Sequence, residues 1–512
     1  MSTRFTFVFL AMVLAMGLTF AQPGLAAPSP VQINIAVKGE VGSLDATYDS
    51  FGANGIVLQN IYEFLIDKET NGKLIPGLAT SWTVSPDGKT IDFTLRKGVK
   101  FHSGDPFTAE DVKFTLDRSL KVNPRMKSKL KPVERIEVVD DHHVRFHMKQ
   151  PDVTFIPNRV HVMMVSKNYF DRVGEQKFER MPVGTGPYKF VDYKPAQYIE
   201  VERFEDYWGK QPQVQKARLY FVPADTTRIA KLQTGEVDLC QGIPFNMVKM
   251  VRNSPNLKAV RLDMNNPNMS IMFTTRNPNV PWYDKRVRRA MAYAINCESI
   301  IKTVLFGIPN HWTWLAPDEL GYDPAMKPYP YDPVKAKQLL AEAGYPNGFD
   351  LKLTWQMGGR VPMPGEVVQA VESYLGAVGI KVQLEAKEIN AYYRAHRKDG
   401  KKPTSDFVGY YGGGLPGAPD PTYGAAANFS CTGSSSLYCN PEFDKILEEA
   451  KATVSDDERA KLIKKMVDIL QEEVPTITIF NNVAVYGMKN NIDFVPTKDR
   501  LDAVLVKNIT VN

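Results

Sequence analysis

Two stretches place residue types at spacings that could do chemistry. In "GTGPYKFVDY" (184–193) glycines flank a threonine at the start of a loop, as they do where backbone N–H groups ring a phosphate. A phosphate loop needs two glycines five apart followed by Lys and Ser/Thr. Gly184 and Gly186 are too close together for that, and Pro187 removes a donor where one is needed. The alternating Tyr188, Phe190 and Tyr193 then make the stretch a turn feeding a strand. In "RIEVVDDHHVRFHMK" (135–149) His143, Arg145 and His147 share one strand face, with Asp140 and Asp141 near. Such a set could hold a metal, but the solvent face of a half-buried hairpin gives the same pattern without one, and no metal is assigned.

Other catalytic signatures are absent. The chain contains no HExxH, no GxSxG and no paired CxxC. "DGKT" (87–90) echoes the end of a phosphate loop without its first glycine. With 57 acids some acid–base pair could always be imagined, so acid counts argue nothing. The residues indicate neither an enzyme nor a cofactor. Four cysteines in 512 residues are too few for a disulfide scaffold. Cys431 and Cys439 bracket "CTGSSSLYC", whose Gly and Ser permit the chain to double back, and a local disulfide is expected there. Cys240 and Cys297 sit in apolar contexts and read as buried thiols.

The elements that must position any site begin after a leader. Arg4, an apolar run from Phe5 to Phe20 and the small-residue exit at Gly24–Ala27 form a secretory signal peptide. No cysteine stands near the exit, and no later stretch approaches spanning length, so the expected product is a periplasmic, soluble chain. About 485 residues then remain, more than one core organises, so two or three domains follow. Without Arg4 the formal charge falls from +6 to +5, and the charges are interleaved, which argues against a nucleic-acid or membrane partner. The basic residues of 121–131 fit a solvated loop.

Trp82–Val84 and Ile91–Leu95 flank the turn cluster "SPDGK" as a hairpin. Thr108 caps "AEDVKFTLDRSL". Asp284 opens a helix closed by Gly307, and Asp332-Pro333 opens another that exits at Gly344. Ser455–Glu458 is a capping box before "RAKLIKKMVDILQEE". Strands at 350–355 and 380–384 flank these helices, giving α/β architecture in several lobes.

"LIPGLATSWTVSPDGKTIDFTLRKGVKFHSGDPFTAEDVKFTLDR" (74–118) resembles the signature of family 5 extracellular solute-binding proteins, the dipeptide, oligopeptide and nickel receptors of ABC importers. The resemblance continues through "VGTGPYKFVDY", "YWG", "AKLQTGEVDL" (230–239), "YDKRVRRAMAYAINCESIIKTVLFG" (283–307) and "YDPVKAKQLLAEAGYPNG" (331–348). It implies a two-lobed α/β periplasmic-binding-protein fold of type II with an extra subdomain in the first lobe. By similarity, lobe I comprises 28–61, 185–272 and 485–512, its inserted subdomain 62–184, and lobe II 273–484. Hinges are expected near Met269–Thr275 and Ile479–Tyr486. The implied function is capture of a peptide or peptide-like solute by a monomer that delivers it to ABC permease subunits. An exported sensor input or a chaperone of the same fold is the rival reading, as is a non-peptide ligand such as a nickel chelate or an oligosaccharide.

Peptide receptors of the family hold the ligand carboxylate with an arginine after a "W…R-P" strand, and "LTWQMGGRVPMP" puts Arg360 there. An arginine fork suits a carboxylate because two parallel charge-assisted bonds fix it. The family also places an acid after a "GW" segment to pair with the ligand amine. "GYYGGGLPGAPDP" (409–421) instead has Gly413 at that place, with Asp420 arriving later. Tyr410, Tyr411, Trp312, Trp314 and Trp355 are aromatic candidates for the cavity wall, with "NHWTW" the foremost because its tryptophans alternate in a loop.

Overall fold

The computed structural model describes residues 31–48, 55, 57–357, 361–397, 406–412, 420–498 and 503–512. The leader, Arg360 and Gly413 lie outside them. In chain order the described strands are β1 (Gln32–Val37), β2 (Ile66–Lys68), β3 (Leu74–Pro76), β4 (Ala79–Val84), β5 (Thr90–Leu95), β6 (Val133–Asp140), β7 (His143–Met148), β8 (Tyr188–Lys194), β9 (Tyr198–Arg203) and β10 (Lys216–Phe221). They continue as β11 (Leu239–Gln241), β12 (Leu257–Phe273), β13 (Asp350–Met357), β14 (Lys381–Glu388), β15 (Val408–Gly412), β16 (Thr476–Lys489), β17 (Ile492–Phe494) and β18 (Ile509–Val511).

Local patterns explain the small sheet. In β5 and β7 alternate residues are buried, so Ile91, Phe93, Val144, Phe146 and Met148 face inward. The helix Ala109–Val122 covers that face, fixed at its start by a capping box between Thr108 and Asp111. Phe93, Phe101, Phe107, Val112 and Leu116 share the resulting core. On the outer face His143 lies 2.8 Å from Asp140 and His147 lies 2.6 Å from Glu137. Among the described residues no group of three potential ligands gathers around a metal position.

The large sheet joins everything else, in the order β14-β13-β15-β12-β16-β11-β1-β10-β9-β8. Among the described residues its two halves are joined by the long antiparallel pair β12 and β16. One half packs Met269, Ile271, Phe273, Leu353 and Val408 against Val287, Met291 and Val371. The other packs Ile33, Ile35 and Leu219 with Ile61, Tyr62, Tyr188 and Ile199. The β12–β16 register breaks between Asp263↔Val483 and Asn268↔Asn481, where the chain crosses from one half to the other.

One expected helix is divided. Asp284 caps Lys285–Ala294, as its position requires, but a second helix runs over Cys297–Thr303. The break follows from Asn296, whose side chain accepts from the Ser299 N–H and so starts a new turn.

Cys431 and Cys439 form a disulfide. Arg276 donates to the carbonyls of Cys431 (2.9 Å) and Tyr438 (2.7 Å), and Thr275 N–H donates to Leu437 O at 3.0 Å. The bridged loop is thus tied to the chain leaving β12. Cys240 and Cys297 are buried thiols, and burial pushes both up to about 12. A non-reduced peptide map is expected to show Cys431 and Cys439 linked, with Cys240 and Cys297 alkylated only after denaturation. Replacing both bridging cysteines by serine is expected to cost about 2.5 kcal/mol in urea denaturation, on the loop-entropy account. Native alkylation of Cys297 would contradict the packing described.

Candidate functional site

Strand polarity locates the site. β13 and β15 run parallel, with Trp355 opposite Tyr410, so both end together, at Met357 and Gly412. Gly412 pairs with Met269 and Met269 with Phe480, one residue from the register break. In the other half β1, β10 and β11 are parallel and end at Val37, Phe221 and Gln241. Gln241 pairs with Tyr486, three residues from Val483 on the far side of the same break. The carboxyl ends of both sets of parallel strands therefore converge on one crossing. In open α/β sheets ligands bind outside such ends. Gly413 follows directly on β15, and Arg360 comes three residues after β13.

The crossing is strapped by the segment 308–314. Asn481 donates from its side chain to Asn268 (2.7 Å) and from its backbone to Asn310 O (2.9 Å). Arg261 donates to Ile308 O (2.7 Å) and Asn310 Oδ1 (2.9 Å), and Trp312 N–H donates to Asn481 Oδ1. His311 lies 3.0 Å from Thr478 O, and burial holds its pKa below the ordinary histidine range, so it donates there as a neutral ring.

The aromatic candidates separate. Trp312 is half-buried beside the crossing. Trp314 is 5% exposed, packs edge-on to Phe429 and donates to Gln471 Oε1 at 2.8 Å, so its ring belongs to a core. Tyr410 is fully buried with Val408 and Leu353, because alternation turns its side chain inward, and it offers no surface to a ligand in this conformation. Among the described residues its hydroxyl has no hydrogen-bond partner, and burial raises its pKa well above the ordinary value. Trp355 is half-buried and packs against the same core. Tyr411 pairs with Ser270 through the main chain, and its side chain lies outside the described residues. Asp420 is 2% exposed and committed locally: Oδ1 accepts from Thr422 N (2.9 Å) and Oγ1 (2.6 Å), while Oδ2 lies 3.2 Å from Arg459 Nε.

The glycine loop at 184–186 is a joint, as the turn reading expects. Gly186 N–H donates to Ile61 O at 2.9 Å, and a Cβ on Gly184 would lie 2.1 Å from that carbonyl oxygen. Thr185 Oγ1 (2.9 Å), Tyr207 Oη (2.8 Å) and Trp208 Nε1 (2.8 Å) all donate to the carboxylate of Glu63. Burial still holds the Glu63 pKa above its ordinary range. "GTG" and "YWG" thus meet on one acid that sequence reasoning did not single out. An acid inside the apolar run "NIYEFLI" was the available signal.

Residues 73–436 match the bacterial extracellular solute-binding proteins, family 5, middle region. The chain belongs to this family. This solute-binding protein is 33% identical over 454 residues to the glutathione-binding protein GsiB of Pectobacterium atrosepticum, covering 85% of this chain and 87% of the relative. It is also 33% identical over 458 residues to heme-binding protein A of Haemophilus influenzae, covering 83% and 82%. Among solved structures it resembles the ABC transporter-associated periplasmic binding protein DppA of Helicobacter pylori, in complex with the peptide STSA. There the TM-score is 0.77 at 25% identity, over 94% of this chain and 98% of that one. The fold is the α/β, two-lobed type II periplasmic-binding-protein fold. The role is that of the solute-binding component of an ABC importer. These relatives are binding proteins rather than enzymes. No helix among the described residues is long and apolar enough to cross a membrane.

Proposed function

We propose that this protein, exported to the periplasm through a cleaved signal peptide, encloses a peptide or peptide-like solute bearing a carboxylate and hands it to membrane permease subunits. The lobes are 28–61 with 185–272 and 485–512, and 273–484; 62–184 is the inserted subdomain. Arg360 holds the carboxylate, Gly413 and its neighbours let backbone approach the ligand, and Trp312 borders the cavity. The protein acts as a monomer, without a cofactor and without covalent chemistry. The observation that supports this most is the convergence of β13, β15, β1, β10 and β11 on the β12–β16 crossing. Residues 358–360 and 413–419 continue from the ends of two of those strands. The relatives described as binding glutathione and peptide favour a ligand with a carboxylate.

The mechanism is a two-state one. A ligand touching both lobes biases the protein toward the closed form in proportion to its differential affinity. Small-angle scattering is expected to show a smaller radius of gyration when glutathione or a dipeptide binds. The melting temperature is expected to rise as well, from about 2.7 kcal/mol of added stability at a hundredfold excess over Kd. Tight binding with an unchanged scattering profile would sink the clamshell.

A further inference from the structure

Away from the crossing, the 62–184 segment faces the chain beyond 273 across a gap of about 690 Å³. Leu74 and Ile156 on one side pack into one core, and Leu320 and Tyr322 on the other pack into a second. Apolar side chains therefore line the gap without closing it. Polar ties bridge it. Val153 N–H donates to Lys451 O at 3.2 Å, and Lys498 Nζ donates to Asp318 Oδ2 at 2.7 Å. Each member of that ion pair stands on its own side. Lys498 N–H donates to Thr70 O at 3.0 Å, which ties it to the 62–184 segment. Asp318 lies in a turn held by Glu319 N–H to Ala316 O (3.0 Å) and by Ala316 N–H to Glu319 Oε2 (2.6 Å). Gly321, at φ +83°, then approaches the helix Asp456–Glu473 so closely that a Cβ would lie 2.7 Å from Ile463 Cγ2. The pair forms only while the two sides are together. The Asp318 and Lys498 side chains are 43% and 21% exposed, so their attraction is modest and screened by salt. Packing the facing apolar walls against each other would hold the closed arrangement far more firmly.

We propose that the Lys498–Asp318 pair is a latch that sets how often the protein closes before a solute arrives. The inference rests on the reading that the lobes move about the crossing, with Lys498 in the first and Asp318 in the second. The pair adds a small, salt-sensitive bias toward the closed form. It leaves the larger part of closure to the differential affinity of the solute. Apparent affinity follows the population of the form that the solute holds. Loss of the latch therefore weakens chemically different solutes by one common factor, whereas loss of a contact residue weakens them unequally.

Nitroxide labels at two exposed positions, introduced as Val139→Cys and Val334→Cys in the full-length mature protein, read the lobe separation by pulsed dipolar spectroscopy. The buried Cys240 and Cys297 stay unlabelled in the native protein. Without solute, in about 0.05 M salt, the protein is expected to show the separation of the present conformation beside a second one. About 0.5 M salt is expected to deplete the first. Asp318→Lys is expected to lower the ratio of closed to open about fivefold. Adding Lys498→Asp to it is expected to restore the ratio to within about twofold, a rescue that a merely structural role of either residue would not give. Asp318→Asn is expected to lower the ratio about threefold and to abolish the salt response, and it decides the matter if Asp318→Lys fails to fold. A closed population that is absent without solute, or unchanged in the folded variants, would overturn the latch. A separation that never changes, with or without glutathione or a dipeptide, would overturn the lobe reading itself. A separation that responds to solute but ignores Asp318 would overturn the latch alone.

Discussion

Glu63→Ala is expected to destabilise the protein by about 3 kcal/mol, because three donors lose their acceptor at one buried point. Thr185, Tyr207 and Trp208 come from distant parts of the chain and reach the carboxylate within 2.9 Å. Removing it leaves two ring donors and a hydroxyl without an acceptor, next to a main-chain approach too tight to relax around Gly184. Glu63→Gln is expected to cost less, since its remaining oxygen keeps part of the set. The pH dependence has a definite sign. The folded pKa is raised, chiefly by burial, so the group's contribution is full below the ordinary glutamate pKa and is lost as pH rises through the raised value. Wild type should therefore gain stability relative to Glu63→Gln as pH falls from neutral toward the ordinary glutamate range. Urea midpoints of both proteins at about pH 5 and pH 8 measure this. A gap that widens with rising pH in favour of wild type would reverse the assignment.

What the sequence made legible was local. Asp284, Asp332 and Ser455 start helices where their side chains accept from nearby N–H groups, and at Thr108 the N–H donates to the Asp111 carboxylate, so each partner lies within a few residues of the other. The 82–84 and 91–95 hairpin has the register its alternation requires, with Trp82 opposite Phe93. The site resisted because its relations are long-range. Trp314 and Tyr410 look like cavity aromatics in one dimension, yet strand alternation and Phe429 bury them. Asp420 reads as a loose acid after a glycine run, while Thr422 and Arg459 hold it in place. Glu63 owes its importance to partners more than a hundred residues away, which no local pattern announces. The convergence of strand ends at Gly412 and Gln241 is a matter of topology, and only the pairing with β12 and β16 displays it.

Arg360→Ala is expected to weaken binding of a carboxylate-bearing ligand at least about 25-fold while leaving the fold intact. Truncating one member of a buried charge pair costs roughly 2–5 kcal/mol, and each 1.4 kcal/mol is about tenfold in Kd. The position argues for a direct contact rather than a distant influence. Arg360 follows β13 by three residues, β13 lies beside β15, and both point at the crossing where the two halves of the sheet meet. Arg360→Lys is expected to recover only part of the loss, because a point charge cannot make the two parallel bonds of the guanidinium fork. Calorimetry with glutathione and with its carboxamide analogues separates the charge contact from shape. If the carboxylate is the anchor, amidating it should cost wild type about as much as Arg360→Ala does, and should cost the variant almost nothing further, since the two changes remove one interaction. Additive losses would mean that Arg360 and the carboxylate do not meet. The arginine would then be a loop residue, and the cation facing the solute would have to be sought elsewhere on the rim of the crossing.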